Sequence, residues 1–333
     1  MPRQSRIDAP GTLHHIIVRG IERRNIFEDE KDQYDFLKRL GLILTETQAD
    51  CYAWALIPNH FHLLLRTAEV PLSTVMRRLL TGHAIYFNRR HQRHGHLFQN
   101  RYKSIICQED TYFLELVRYI HLNPLRANLV DNLNQLEDYP FSGHGVIMGK
   151  HKQPWQKRNL VLLRFNEKIV PAQKAYKVFI QQGVDQGQRE DLIGGGLIRS
   201  VGGWTAVTAM KKASIHEKSD ARILGDSEFV EQVLSKNQES LDRQYMLKSQ
   251  KVDVNYIVDR VSKLLKLTVD EIHQPGRYKN IVKARSIICY WAVRELGESM
   301  TAMGKRFGIS TAAVSKSVRR GADIVKTKGY QVI

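Results

Sequence analysis

The sequence predicts an α+β N-terminal domain followed by an all-α C-terminal domain. Three observations predict it. Residues 1–130 alternate short apolar, β-branched runs with longer runs of helical period. Turn residues separate these runs closely enough to pair neighbouring strands. From Val252 onward the pattern is helical throughout.

Leu13–Arg19 (LHHIIVR) reads as a strand. Glu30–Thr47 spaces Tyr34, Leu37, Leu40 and Leu44 along one helical face. Cys51–Ile57 and His60–Arg66 are two strands around the short turn Pro58-Asn59. Leu72–Arg90 is a helix, Tyr102–Gln108 a strand, and Asp110–Leu122 a helix with Asp110 as N-cap and Pro124 just past its end. That order suggests a small antiparallel sheet with helices on one face. Between Asp138 and Lys168 prolines and glycines loosen the pattern, which marks a boundary. The domains expected are therefore 1–145, a middle region 146–250, and 251–333. In the middle region Gly194–Gly196 and Gly202-Gly203 read as a hinge or turn, because no strand, loop and lysine-bearing helix surrounds them. The C-terminal helices expected are Tyr256–Leu265, Lys279–Leu296, Thr301–Phe307 and Thr311–Val325.

The chain has 333 residues, and its 51 Lys and Arg against 34 Asp and Glu leave a net charge of +17. Such a charge draws polyanions, with nucleic acid the first candidate. Hydrophobic residues at 42% are too many for a disordered chain. Cys51, Cys107 and Cys289 lie far apart and make no disulfide framework, which suits a reducing compartment. The N-terminus has no signal-peptide pattern, and no apolar run reaches the roughly 18 residues of a membrane span. A cytoplasmic protein without a membrane partner is expected. Nothing fixes its oligomeric state, monomer or homodimer.

Two segments carry chemistry. In Pro58-Asn59-His60-Phe61-His62, residues two apart on a strand share a face, so His60 and His62 present two imidazoles together. Two neutral imidazoles make half of a divalent metal site. In Arg118-Tyr119-Ile120-His121-Leu122-Asn123-Pro124, Tyr119 and Asn123 stand four apart on one helical face. The Asn123 carbonyl is a third ligand candidate, and the Tyr119 phenol is a nucleophile candidate. Pro124 works against helical geometry at Asn123, and Asn59 is then a supporting alternative. His121 points away from Tyr119.

Residues 77–103 hold seven cations and four histidines with no carboxylate, interleaved with aromatics. Arg77, Arg78, Arg89, Arg90, Arg101 and Lys103, joined by Arg19, are the expected contacts to single-stranded DNA. His83, His91, His94 and His96 are expected to line that surface. Farther on, Met300–Phe307, a turn at Gly308-Ile309-Ser310 and Thr311–Arg320 form a helix-turn-helix pattern, with Gly308 free to take a positive φ. Lys316, Arg319 and Arg320 are its expected contacts to duplex DNA. Ser317 stands where a larger apolar residue is common.

The segments PNHFHLLL and RYIHLNPLRA, with His14-His15-Ile16, Arg19-Gly20 and Gly95–Ser104 in order, resemble the HUH-type single-tyrosine transposases associated with insertion sequences and REP palindromes. The resemblance covers residues 8–145. It implies a ferredoxin-like or RRM-like fold, with His60, His62 and Asn123 holding Mg²⁺ or Mn²⁺. It also implies attack by Tyr119 on a DNA phosphorus, giving a 5′-phosphotyrosine and a free 3′-OH. Residues 252–325, through Gly276–Arg285, look like the duplex-binding domain of the bacterial replication initiator DnaA. That likeness adds Arg277, Lys279 and Lys283 as duplex contacts. The alternatives are a DNA-binding regulator that has lost the chemistry, and a replication or mobilisation nickase of the same class.

Overall fold

The computed structural model describes Ile7, residues 10–187, Arg189, Leu192 and residues 220–276 and 278–333. The chain divides into two compact units, Met1–Leu234 and Ser235–Ile333. The stretch expected as a middle region is divided between them.

The first unit is built on strands β1 (Leu13–Arg19), β2 (Asp50–Ile57), β3 (His60–Arg66), β4 (Lys103–Cys107) and β5 (Ile223–Leu224), in the order β2-β3-β1-β4-β5. The first four pair antiparallel. The two-residue β5 joins β4 in parallel, which makes the sheet mixed; so short a strand has no periodicity for sequence to display. The α+β class is as expected, but helices cover both faces rather than one. Helix α1 (Glu30–Thr47) stacks Phe36 on Phe61 of β3, ring centroids 4.7 Å apart. It pairs with α2 (Leu72–Arg90). Helix α3 (Glu109–His121) lies over the opposite face, with Leu116, Tyr119 and Ile120 in one core with Ala53, Ala55 and Leu64. The reason is legible in β1 and β3, which are buried on both faces and therefore need two covering layers. Each large aliphatic side chain buried in these layers contributes roughly 1.5–3 kcal/mol.

The N-cap of α3 is Gln108, not Asp110, which sits in the first turn, where a carboxylate complements the helix dipole. After a break at Leu122, Asn123–Arg126 forms a further helical turn, α4. Behind α3, the His121 and His144 Nδ1 atoms each lie 2.8 Å from the Tyr176 hydroxyl. One hydroxyl donates once, so these buried rings take opposite tautomers. His121 thus points away from the Tyr119 face, as expected.

The second unit is helical, with α-helices at Val254–Leu265, Val269–His273, Lys279–Arg294, Met300–Phe307 and Thr311–Lys328. Ser299 and Ser310 cap the last two helices, and Gly308 closes the first of them at φ +61°. Val314, Val318 and Gly321 form the buried face of the final helix. A Cβ at Gly321 would lie 2.1 Å from the Ser286 carbonyl oxygen, so only glycine permits this helix crossing. Ser317 lies outside that face and needs no apolar side chain. No helix among the described residues is long and apolar enough to cross a membrane.

Candidate active site

The antiparallel register sets the site. Opposite His60 and His62 on β3 stand Arg19 and Ile17 of β1, and opposite Leu64 stands His15. These residues share one sheet face. Beside them, Ala55 and Ala53 of β2 are small and leave room for α3. Tyr119, buried to 7% exposure, comes down onto this face with its ring centroid 5.8 Å from those of both His62 and His15. His60, His62, Tyr119 and Asn123 line one cavity of about 540 Å³, together with Arg19, Arg101, Lys103 and Arg126. The structure therefore brings the four sequence-predicted chemical residues together.

Asn59 orients His60. The Asn59 Nδ2 donates to the Arg23 carbonyl at 3.1 Å, which fixes its amide. Its Oδ1 then accepts from His60 Nδ1 at 2.6 Å. The His60 proton is held at Nδ1, so the Nε2 lone pair is the free one. His62 has an analogous partner, His15, whose Nε2 lies 3.0 Å from His62 Nδ1. When His62 donates, its own Nε2 lone pair faces the cavity. His15 appeared in the sequence only within a shared block; its contact depends on strand pairing across 47 positions.

Burial drives His60 down to about 4, aided by the Arg19 charge, and holds His62 well below the usual imidazole range, aided by His15 and His60. Both rings are neutral at physiological pH. Pro124 does not displace Asn123. Proline removes the amide that would bond the Ile120 carbonyl, and the Asn123 Nδ2 reaches that oxygen at 3.4 Å and the Tyr119 carbonyl at 3.1 Å. With its nitrogen committed, Asn123 leaves Oδ1 without a protein partner among the described residues. Two imidazole nitrogens and one amide oxygen, all neutral, fit a divalent cation that keeps further positions for phosphate oxygens. No metal-holding cluster of three His, Cys, Asp or Glu occurs among the described residues; the third donor here is an asparagine.

Residues 11–123 match the family model described as "Transposase IS200 like". The N-terminal domain is therefore similar to the IS200-like transposases over residues 11–123. Residues 254–320 of the second unit match the "Bacterial dnaA protein helix-turn-helix" model. A solved structure described as a REP-associated tyrosine transposase bound to a REP hairpin is similar at 17% identity and a TM-score of 0.37, over 47% of this chain and 98% of that one. No curated protein matches the chain. The two family matches give the chain a transposase-type, DNA-binding function, with DNA as its partner.

The expected cations of the IS200-like domain separate into two groups. Arg19, Arg101 and Lys103 are exposed at the cavity, and Arg77 and Arg101 line a second depression of about 780 Å³ beside it. Arg89 is exposed. Arg78 instead pairs with Glu46, and Arg90 with Asp29 and the fully buried Asp32, so α1 and its N-cap supply the carboxylates that the run itself lacks. His83 does not line a surface; it is buried among Phe27, Phe36 and Phe87, its Nε2 donating to the Ile26 carbonyl at 2.7 Å. His91 lies 2.9 Å from Asp32. In the DnaA-like domain, Lys279, Lys283, Lys316 and Arg320 surround one cavity of about 1090 Å³, and Arg319 is exposed nearby on the same helix. Arg277 and the glycine runs at 194–196 and 202–203 lie outside the described residues.

Proposed function

We propose that the IS200-like domain is a metal-dependent tyrosine endonuclease and strand transferase that acts on single-stranded DNA, near a hairpin or palindrome. One observation carries the reading: a phenol, two neutral imidazoles and an amide oxygen line one cation-rimmed cavity. His60, His62 and Asn123 would hold Mg²⁺ or Mn²⁺. Such an ion supplies Lewis-acid polarisation of the scissile phosphate.

The chain's own residues do the rest. Asn59 holds the His60 imidazole in the tautomer that keeps its Nε2 lone pair free, and His15 orients the His62 ring through its Nδ1. Arg19, Arg101 and Lys103 draw the backbone to the cavity rim. The Tyr119 oxygen forms a bond to phosphorus and loses its proton, while the bond to the upstream 3′-oxygen breaks. The products are a 5′-phosphotyrosine and a 3′-OH. The ester keeps the phosphodiester energy, so a second 3′-OH can reverse the step without ATP. Lys279, Lys283, Lys316, Arg319 and Arg320 of the DnaA-like domain would anchor the chain on duplex DNA, with the final helix in the major groove.

The test uses labelled hairpin oligonucleotides with single-stranded arms, Mn²⁺ and a denaturing gel. A covalent protein–DNA band is expected, lost in Tyr119→Phe with binding retained. Cleavage that survives in Tyr119→Phe makes water the nucleophile. Binding with no cleavage by the wild type supports a DNA-binding regulator instead.

A further inference from the structure

Arg126 stands seven residues past Tyr119, two helical turns along, and opens into the same cavity. Its guanidinium carbon lies 5.3 Å from the Tyr119 ring centroid. Two of its five N–H groups are used, by the Tyr119 carbonyl at 3.4 Å and the Gly183 carbonyl at 3.2 Å. Its buried Nε has no hydrogen-bond partner. No carboxylate among the described residues pairs with it, and none lines the cavity. The nearby cations are in a different position. Arg118 and Arg189 share Glu115, at 2.7 and 2.9 Å.

A half-buried cation with unspent donors and no counter-ion is costly unless an anion arrives. The guanidinium is also the side chain suited to the oxygens of a phosphate. We infer that Arg126 is a further catalytic residue, donating to a non-bridging oxygen of the scissile phosphate beside the Tyr119 oxygen. The inference rests on the strand-transfer reading. Arg126 keeps its protons throughout; the phenolic proton passes to solvent and the departing 3′-oxygen takes one up from solvent, while the arginine offsets charge that develops on phosphorus-bound oxygen.

The experiment uses the full chain, Mn²⁺ and a fluorescent oligonucleotide with one hairpin between randomised single-stranded arms, so no target sequence is assumed. Formation of the covalent adduct is followed in a single turnover, and binding by anisotropy. Arg126→Gln is expected to slow adduct formation about 100-fold, the usual loss for one transition-state donor, with binding within about threefold. Arg126→Lys is expected to fall between the two. Methylguanidinium added to Arg126→Gln is expected to recover part of the rate, which a residue with only a packing role would not show. Circular dichroism of the variants checks that they fold. Adduct formation by Arg126→Gln within threefold of wild type overturns the inference, as does a slow variant that neither the lysine nor the added guanidinium improves. If the wild type itself forms no adduct, the strand-transfer reading fails and the inference with it.

Discussion

The two units handle charge in opposite ways. The IS200-like domain buries six histidines among its described residues and ties part of its basic run to carboxylates of α1. The DnaA-like domain has a single histidine, His273, and places five cations around one cavity with no carboxylate in its lining. A surface for phosphate backbone needs only charge in the right region, since such contacts position rather than specify. A site for bond exchange needs neutral lone pairs aimed at one point, which means burial and an oriented proton on every ring. The first arrangement tolerates mobile side chains; the second requires a sheet.

The largest effect separating the two units is their response to acid. Burial lowers His14 to about 4 and His144 to about 3, and it also lowers His83 and His121. In the unfolded chain these rings take up protons near pH 6.5, while in the folded domain they remain neutral. The unfolded state therefore binds more protons between about pH 6.5 and 4, and stability falls as pH falls through that window. Above pH 6.5 the contribution is complete. By pH 5 His14 and His144 each cost about 2 kcal/mol. Hydrogen exchange of the full chain at pH 7.5 and 5, corrected for intrinsic rates, is expected to show β1 and β3 losing protection at least tenfold more than Lys279–Arg294. Equal losses in both units would break the comparison.

A smaller effect tests how the imidazoles are aimed. Asn59→Ala removes the acceptor that holds the His60 proton at Nδ1. Loss of such an orienting partner is expected to weaken Mn²⁺ binding about 10- to 100-fold. Titration of the full chain with Mn²⁺, followed by electron paramagnetic resonance, reads it directly. Duplex binding by the DnaA-like domain is expected to stay unchanged. If Mn²⁺ affinity is unaltered in Asn59→Ala, the Asn59–His60 bond does not prepare a ligand.

Much of this was legible where the physics is local. Residues two apart on a strand share a face, so His60 and His62 announced themselves; residues four apart share a helix face, so Tyr119 and Asn123 did too. Ser310 and Gly308 bounded the helix-turn-helix for the same reason. His15 was not legible as a partner, because only the β1–β3 register brings it to His62. Helices on both faces were missed, although β1 and β3 each carry apolar residues at consecutive positions, Ile16-Ile17-Val18 and Leu63-Leu64-Leu65, a run that signals burial on two sides. Arg126 had a readable signal, since seven residues are two turns, but the sequence does not say that no carboxylate reaches it.

The smallest effect bears on the basic run, where neighbouring arginines have different fates. Arg89 is exposed, whereas Arg90 bonds Asp32 at 2.6 Å and also pairs with Asp29. A cation already neutralised releases no DNA counterion when a phosphate approaches, so it adds little to affinity or to salt dependence. Arg89→Ala is expected to weaken binding of a single-stranded oligonucleotide by a few-fold and to reduce the salt slope by about 0.7, one single-strand phosphate contact. Arg90→Ala is expected to change both by less than the scatter of the measurement. It should instead lower the melting temperature, because Asp32 is fully buried and loses a hydrogen-bonded cation, keeping the Glu28 N–H and His91 beside it. Anisotropy titrations at several salt concentrations, with thermal melts of the same samples, separate these outcomes. An equal loss of DNA affinity in both variants would mean that DNA pulls Arg90 away from its carboxylates, and the basic run would then act as one surface after all.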